Sequence, residues 1–163
     1  ADAIRGGTGG DIINGDEGND RIRAGAGADD VHGGDGNDDI WAGDGNDAVF
    51  GDAGNDILIG GAGNDTVDGG SGNDSIYGKH GNDLITMGQG QDTYLFSMDS
   101  GSDTITDFNM AEGDIVKFDS EITQNDFTVA IEGSSTIITY GDSTLVLENT
   151  SLTHDDVWKM QLA

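Results

Sequence analysis

Residues 33–68 read GGDGNDDIW AGDGNDAVF GDAGNDILI GGAGNDTVD, four nonapeptides in one register without an insertion. Followed outward, the same pattern runs from Gly6 to Leu95 as ten consecutive units. The fourth position is Gly in every unit: Gly9, Gly18, Gly27, Gly36, Gly45, Gly54, Gly63, Gly72, Gly81 and Gly90. The sixth is Asp in every unit: Asp11, Asp20, Asp29, Asp38, Asp47, Asp56, Asp65, Asp74, Asp83 and Asp92. The eighth is apolar or aromatic, from Ile13 and Ile22 to Ile85 and Tyr94. Self-similarity at a fixed period marks a solenoid, whose units are too small to bury a face alone and do so by stacking.

The spacing has a direct physical reading. Six residues rich in Gly, Asn and Asp turn, because Gly takes positive φ at no steric cost. Three residues with an aliphatic centre then form a short strand, its middle side chain pointing one way and its neighbours the other. With two units per coil, strands 18 residues apart become parallel neighbours about 4.8 Å apart. Two such sheets face each other across the eighth-position side chains. The expected fold is all-β, a right-handed parallel β-roll (β-solenoid) over residues 1–95 with a β-rich C-terminal cap over 96–163.

The repeat resembles the GGxGxDxUx nonapeptide of the RTX (repeats-in-toxin, hemolysin-type) β-roll family, over 90 residues of the chain. Departures are few: Ala24, Ala42 and Met87 replace the first Gly, and Asp16, Asp52 and Lys79 the second. The resemblance implies calcium ions between loops stacked on one edge, held by the sixth-position Asp of both loops and by main-chain carbonyls of the fourth-position glycines. One edge then carries Asp11, Asp29, Asp47, Asp65 and Asp83, and the other Asp20, Asp38, Asp56, Asp74 and Asp92. The residue chemistry agrees, since carboxylates among flexible glycine turns suit a hard cation that takes six to eight oxygens. Zinc or copper would want Cys or clustered His, and the chain has no Cys and three isolated histidines. Asx turns alone would be served equally by Asn, yet all ten residues are Asp. Asn fills seven of the ten fifth positions instead, with Gly10, Ala28 and Gln91 the exceptions, and is read there as turn chemistry. Five loops per edge leave four gaps, so about eight calcium ions are expected.

Charge and composition narrow the function. The chain has 163 residues, with 32 acidic against 6 basic side chains and a formal charge of −26, which repels phosphate backbones and excludes nucleic acid as a partner. Residues 6–95 hold −15 of that charge, which about eight divalent ions would cancel. No apolar run of about 18 residues spans a membrane, and the first residues show no signal-peptide pattern. The length suits one domain or an array with a cap rather than a multi-domain enzyme. Each unit brings one inward aliphatic side chain for nine ordered residues, so the metal-free roll is expected to be disordered and folding to coincide with calcium binding.

Beyond Leu95 the glycines thin out, and alternating runs at 104–108, 115–118, 127–131, 136–140 and 144–147 read as cap strands. The stretch Asp92–Phe118 resembles the segment that follows the repeats in type I-secreted proteases, lipases and alginate epimerases. That resemblance implies a secreted, extracellular protein, with type I secretion machinery as a partner and an export signal in the C-terminal region, which ends HDDVWKMQLA. Asp103 and Asp107 are read either as ligands of a further calcium or as free surface carboxylates. On the outer face Trp41, Ile59 and Tyr77 form a partner surface, read first as packing against the C-terminal segment or an upstream domain and second as a sugar-stacking ladder. No catalytic constellation is found: His32, His80 and His154 are isolated, and neither HExxH nor GxSxG occurs. The expected function is a non-catalytic, monomeric, calcium-triggered folding module at the C-terminus of a type I-secreted protein. The alternative is a polysaccharide-binding (alginate-type) or adhesin module.

Overall fold

The structure, a computed structural model, describes residues 1–118, 123 and 125–160, so Gln161, Leu162 and Ala163 of the C-terminal signal expected above lie outside the described residues. The chain runs β1 (Ala3–Thr8), β2 (Ile12–Asn14), β3 (Arg21–Ala26), β4 (Asp30–Asp35), β5 (Asp39–Asp44), β6 (Ala48–Ala53), β7 (Ile57–Ala62), β8 (Thr66–Asp68), β9 (Ser75–His80), β10 (Leu84–Thr86), β11 (Thr93–Phe96), β12 (Ser102–Ile105), β13 (Ile115–Phe118), β14 (Phe127–Glu132), β15 (Ser135–Tyr140), β16 (Ser143–Leu147) and α1 (His154–Met160). Odd-numbered strands β1 to β13 form one sheet, and even-numbered strands β2 to β12, together with β16, form the parallel part of the other. Within the repeats the register is 18 residues, as in Ile22↔Ile40 and Val31↔Val49, giving a parallel β-solenoid of about six turns.

Several strands are twice as long as the three residues expected. β3 to β7 and β9 run from the seventh position of one unit through the third of the next, so pairing resumes past the bend at Gly25↔Gly43 and Ala26↔Asp44. Identical bends stacked in register keep their N–H and C=O groups aimed at the neighbouring turn, so a glycine-rich corner can still belong to a ladder. The core is also wider than one side chain per unit. The eighth-position residues from Ile22 to Tyr94 are fully buried, and so are Ala24, Ala42 and Met87 at the first position. Burying an inward methyl or longer chain at that position adds apolar area.

Past the repeats both sheets gain a strand with a longer step, Ile85↔Ile105 and Tyr94↔Val116. β16 then pairs parallel with β12, and β15 and β14 follow antiparallel. Phe96, Phe118, Phe127 and Tyr140 pack at this end with ring centroids 4.9–6.4 Å apart. Helix α1, not anticipated in the sequence, buries Val157 and Met160 and packs on β13. Among the described residues the C-terminal segment packs at the end of the roll, and Trp41 on the outer face of the first sheet is 46% exposed.

Candidate metal centre

The ten sixth-position carboxylates form two columns, one on each edge of the roll. Each interior Asp accepts at Oδ1 the backbone N–H of the Asp one turn earlier, as Asp47 does from Asp29 and Asp56 from Asp38, at 2.7–2.9 Å throughout the repeats. Asp20 to Asp92 are all buried. In all ten, the second oxygen, Oδ2, is buried without a hydrogen-bond partner. One such atom costs about 1–3 kcal/mol, so ten in register are a pattern that calls for a cation rather than a scatter of imperfections.

The surroundings of Oδ2 are oxygen-rich. A Cβ built at Gly51 would lie 2.6 Å from Oδ2 of Asp56 and 2.5 Å from the carbonyl oxygen of Gly69, and the same pairing of an own-loop carboxylate with a next-turn carbonyl recurs at Gly6, Gly15, Gly33, Gly60 and Gly69. These first-position carbonyls were not singled out in the sequence. The fourth-position carbonyls that were, such as those of Gly27 and Gly36, point along the stack onto the fourth-position glycine of the next turn. A side chain at Gly45, φ 153°, would therefore fall on the carbonyl of Gly27. At the second position the exceptions Asp16, Asp52 and Lys79 take the left-handed conformation themselves, with φ of 66°, 67° and 77°.

Electrostatics reinforce the reading. Burial, and secondarily the like-charged neighbour in the column, push Asp74 and Asp83 up to about 7 and Asp56, Asp65 and Asp92 up to about 6. Carboxylates in this setting resist ionisation until a positive charge is supplied. Among the described residues no three His, Cys, Asp or Glu side chains converge as a metal cluster. Carboxylates from stacked turns together with backbone carbonyls fit a hard, oxygen-seeking ion such as calcium and do not fit zinc.

Three further aspartates continue the columns. Asp2 precedes Ile4 as the sixth position precedes the eighth, and its N–H donates to Oδ1 of Asp20. Asp103 and Asp114 hold the same spacing to Ile105 and Val116 and accept the N–H groups of Asp83 and Asp92. The signal was present as Asp-x-apolar, in register at Asp2 and outside the nine-residue register at Asp103 and Asp114. Neither Asp103 nor Asp107 is a free surface carboxylate, as one reading had it: Asp103 is fully buried, and Asp107 accepts the N–H groups of Met87 and Gly88 at 2.8 and 2.9 Å. The fifth-position Asn residues also do more than turn the chain, since Asn37 donates its backbone N–H to Oδ1 of Asn19, Asn55 to Asn37 and Asn73 to Asn55, a second inter-turn ladder. The histidines are engaged locally: His32 with Asp30 and Asp52, His80 with the Asp99 carbonyl, and His154 stacked on Phe127.

The family model of the RTX calcium-binding nonapeptide repeat (four copies) matches residues 1–31, 23–58, 32–67 and 59–94. Among solved structures, the extracellular lipase LipA from Serratia marcescens matches at 20% identity and a TM-score of 0.41, over 91% of this chain and 38% of the lipase. The AlgE6R3 subunit of the Azotobacter vinelandii mannuronan C5-epimerase matches at 21% identity and a TM-score of 0.37, over 91% of this chain and 77% of the subunit. No curated protein sequence matches.

Proposed function

The chain belongs to the RTX calcium-binding nonapeptide-repeat family, and from that premise we propose that it is a calcium-triggered folding module of a type I-secreted extracellular protein. The observation that carries the reading is the set of ten buried Oδ2 atoms without partners. The sixth-position Asp residues of successive turns hold the ions, assisted by loop carbonyls, about eight ions in all. Bound calcium would supply positive charge to the two rows and accept the oxygens of their carboxylates and carbonyls as ligands. The protein's own residues orient the carboxylates through the Oδ1 ladder, stack the loops and bury the aliphatic column. In a calcium-poor cytosol the repeats stay unfolded and pass C-terminus first through the export channel; outside, millimolar calcium folds them onto the cap. A module of this kind needs no catalytic group. Far-UV circular dichroism during a calcium titration tests it: a cooperative gain of β-signal, reversed by chelator, is expected, and a β-spectrum indifferent to chelator would contradict it.

A second reading, a docking face for a carboxylated polysaccharide, is favoured by one observation. Five of the six Lys and Arg residues, Arg5, Arg21, Arg23, Lys79 and Lys117, lie on strands of the first sheet. Arg23 sits 5.4 Å from the Trp41 ring centroid and Lys79 5.3 Å from that of Tyr77, around a shallow trough of about 360 Å³ lined by Trp41, Ile59, Gly61 and Lys79. Aromatic rings stack on sugar faces while the bases pair with carboxylates. Titration with oligouronates in calcium, native chain against Trp41→Ala, is expected to show weaker binding by the variant; no binding by the native chain removes this reading.

A further inference from the structure

The two carboxylate columns end in a particular way. Asp103 and Asp114 engage Oδ1 as the repeat aspartates do, from Asp83 at 3.1 Å and Asp92 at 3.2 Å. Their Oδ2 atoms differ from the ten above. Tyr94 donates its hydroxyl to Oδ2 of Asp103 at 2.7 Å, and Asn109 donates its backbone N–H to Oδ2 of Asp114 at 2.8 Å. Each column thus finishes on an aspartate whose second oxygen is satisfied from within the chain.

Tyr94 is out of character for its position. The other nine eighth-position residues are Ile, Val or Leu, which fill the core and reach nothing polar. Tyr94 is fully buried among them, with its hydroxyl delivered to the column edge. At Gly78 a Cβ would meet Oδ2 of Asp83 and lie 2.9 Å from the Tyr94 hydroxyl, whereas at Gly33, Gly51 and Gly60 the companion oxygen is a main-chain carbonyl of the next turn. The phenol oxygen stands where a carbonyl stands in the other gaps, and its proton goes to the carboxylate that would otherwise face a cation.

We propose that Tyr94 closes the Asp11-to-Asp83 column to calcium, its O–H satisfying Asp103 in place of an ion, so that the gap between Asp83 and Asp103 is metal-free and removal of the hydroxyl opens a latent site there. The proposal rests on the calcium reading above. An O–H donor meets one acceptor lone pair without adding charge, while calcium requires several free oxygens at once. Once the phenol holds Oδ2 of Asp103, the gap keeps Oδ2 of Asp83 as its one free carboxylate oxygen, short of the set that calcium requires. Asn109 ends the other column by the same means with a main-chain donor, which no side-chain substitution deletes, so Tyr94 is the place to test the idea.

The test is bound calcium per chain, measured by elemental analysis after equilibrium dialysis at saturating calcium, on the native chain, Tyr94→Phe, Asp103→Asn and the double variant. Tyr94→Phe is expected to bind one ion more than the native chain, with Asp103→Asn alone and the double variant at the native count. Tyr94→Leu, which restores the residue type of the other nine positions, carries the same prediction should the Phe variant fold poorly. An unchanged count in a folded hydroxyl-free variant overturns the proposal, as does loss of an ion in Asp103→Asn alone, which would make Asp103 a native ligand. A native chain that binds no calcium would overturn the calcium reading together with the proposal, whereas normal native loading with an unchanged variant overturns the proposal alone.

Discussion

At the scale of one residue, the sixth-position aspartate divides its labour between two oxygens. Oδ1 is structural: in Asp47 it accepts the N–H of Asp29 at 2.8 Å. Oδ2 is buried without a partner and is the oxygen proposed to meet the cation. Two substitutions separate these roles. Asp47→Asn keeps an oxygen for the ladder but removes the charge, and is expected to raise the calcium midpoint of folding several-fold and lower its cooperativity. Asp47→Ala loses the ladder bond as well and should be worse by about 0.5–1.5 kcal/mol, the usual net value of one hydrogen bond. A calcium titration followed by circular dichroism checks both, and a native midpoint in Asp47→Asn would contradict the ligand assignment. Protons act on the same oxygens. In the metal-free fold, burial raises Asp56, Asp65 and Asp92 to about 6 and Asp74 and Asp83 to about 7, from 3.8. The folded chain then binds more protons than the unfolded one, so this contribution favours folding fully below pH 3.8 and is lost as pH rises through 6 to 7. Without calcium, the β-signal is expected to be greater at pH 5 than at pH 8. With calcium, protons compete for the ligands, and the calcium midpoint is expected to rise as pH falls from 8 to 5; a midpoint indifferent to pH would contradict buried carboxylate ligands.

At the scale of the element, the turn is as repetitive as the strand, and this is where sequence and structure part. The nonapeptide register made the parallel pairing, the two edges and the Asp columns legible, because glycine, carboxylate and aliphatic recur at fixed positions. Composition hid the longer strands: Gly-Gly-Asp reads as a turn, and only stacking of identical bends turns Gly43 and Asp44 of β5 into ladder partners of Gly61 and Ala62. Asp114 and the place of Asp103 in its column were hidden for another reason, since the steps to the last two turns lengthen from 18 to 20 and 22 residues and break the register that revealed the rest, whereas Asp2 keeps the 18-residue step to Asp20 but has no full nonapeptide around it. Helix α1 was illegible because seven residues hold too little periodicity. Its start is nevertheless written locally: Thr153 donates its N–H to Asp156 Oδ2 at 2.9 Å, and Asp156 donates its N–H to Thr153 Oγ1 at 3.3 Å, a capping box with Asp in the usual Glu place. The stacked turn also makes a prediction. Gly45 has φ 153° and a side chain there would strike the Gly27 carbonyl, whereas Gly9 at the first turn has open space around its Cβ position. Gly45→Ala is therefore expected to destabilise the calcium-loaded fold by at least about 2 kcal/mol, combining backbone strain with lost stacking. Gly9→Ala should cost less, since strain acts there without a collision. Equal shifts of the two variants in chemical denaturation would contradict the close approach.

At the scale of the molecule, the charge of −26 resolves into parts with different fates. The −15 of residues 6–95 is concentrated in loops that bring ten carboxylates into two rows, where like charges repel one another. Five of the six bases lie elsewhere, on strands of the first sheet, so the proposed metal rows and any docking on that sheet's outer face use separate surfaces. The cap gives the stack a definite end, with β13, β16 and an aromatic cluster covering strands that would otherwise present open edges. Whether the two rows are the metal sites is a question of position, and a crystal structure grown in millimolar calcium answers it most directly. Anomalous peaks are expected between successive loops on both edges, within coordination distance of the sixth-position Oδ2 atoms and loop carbonyls. Ions confined to the outer faces, or rows that stay empty of metal in a folded chain, would contradict the account.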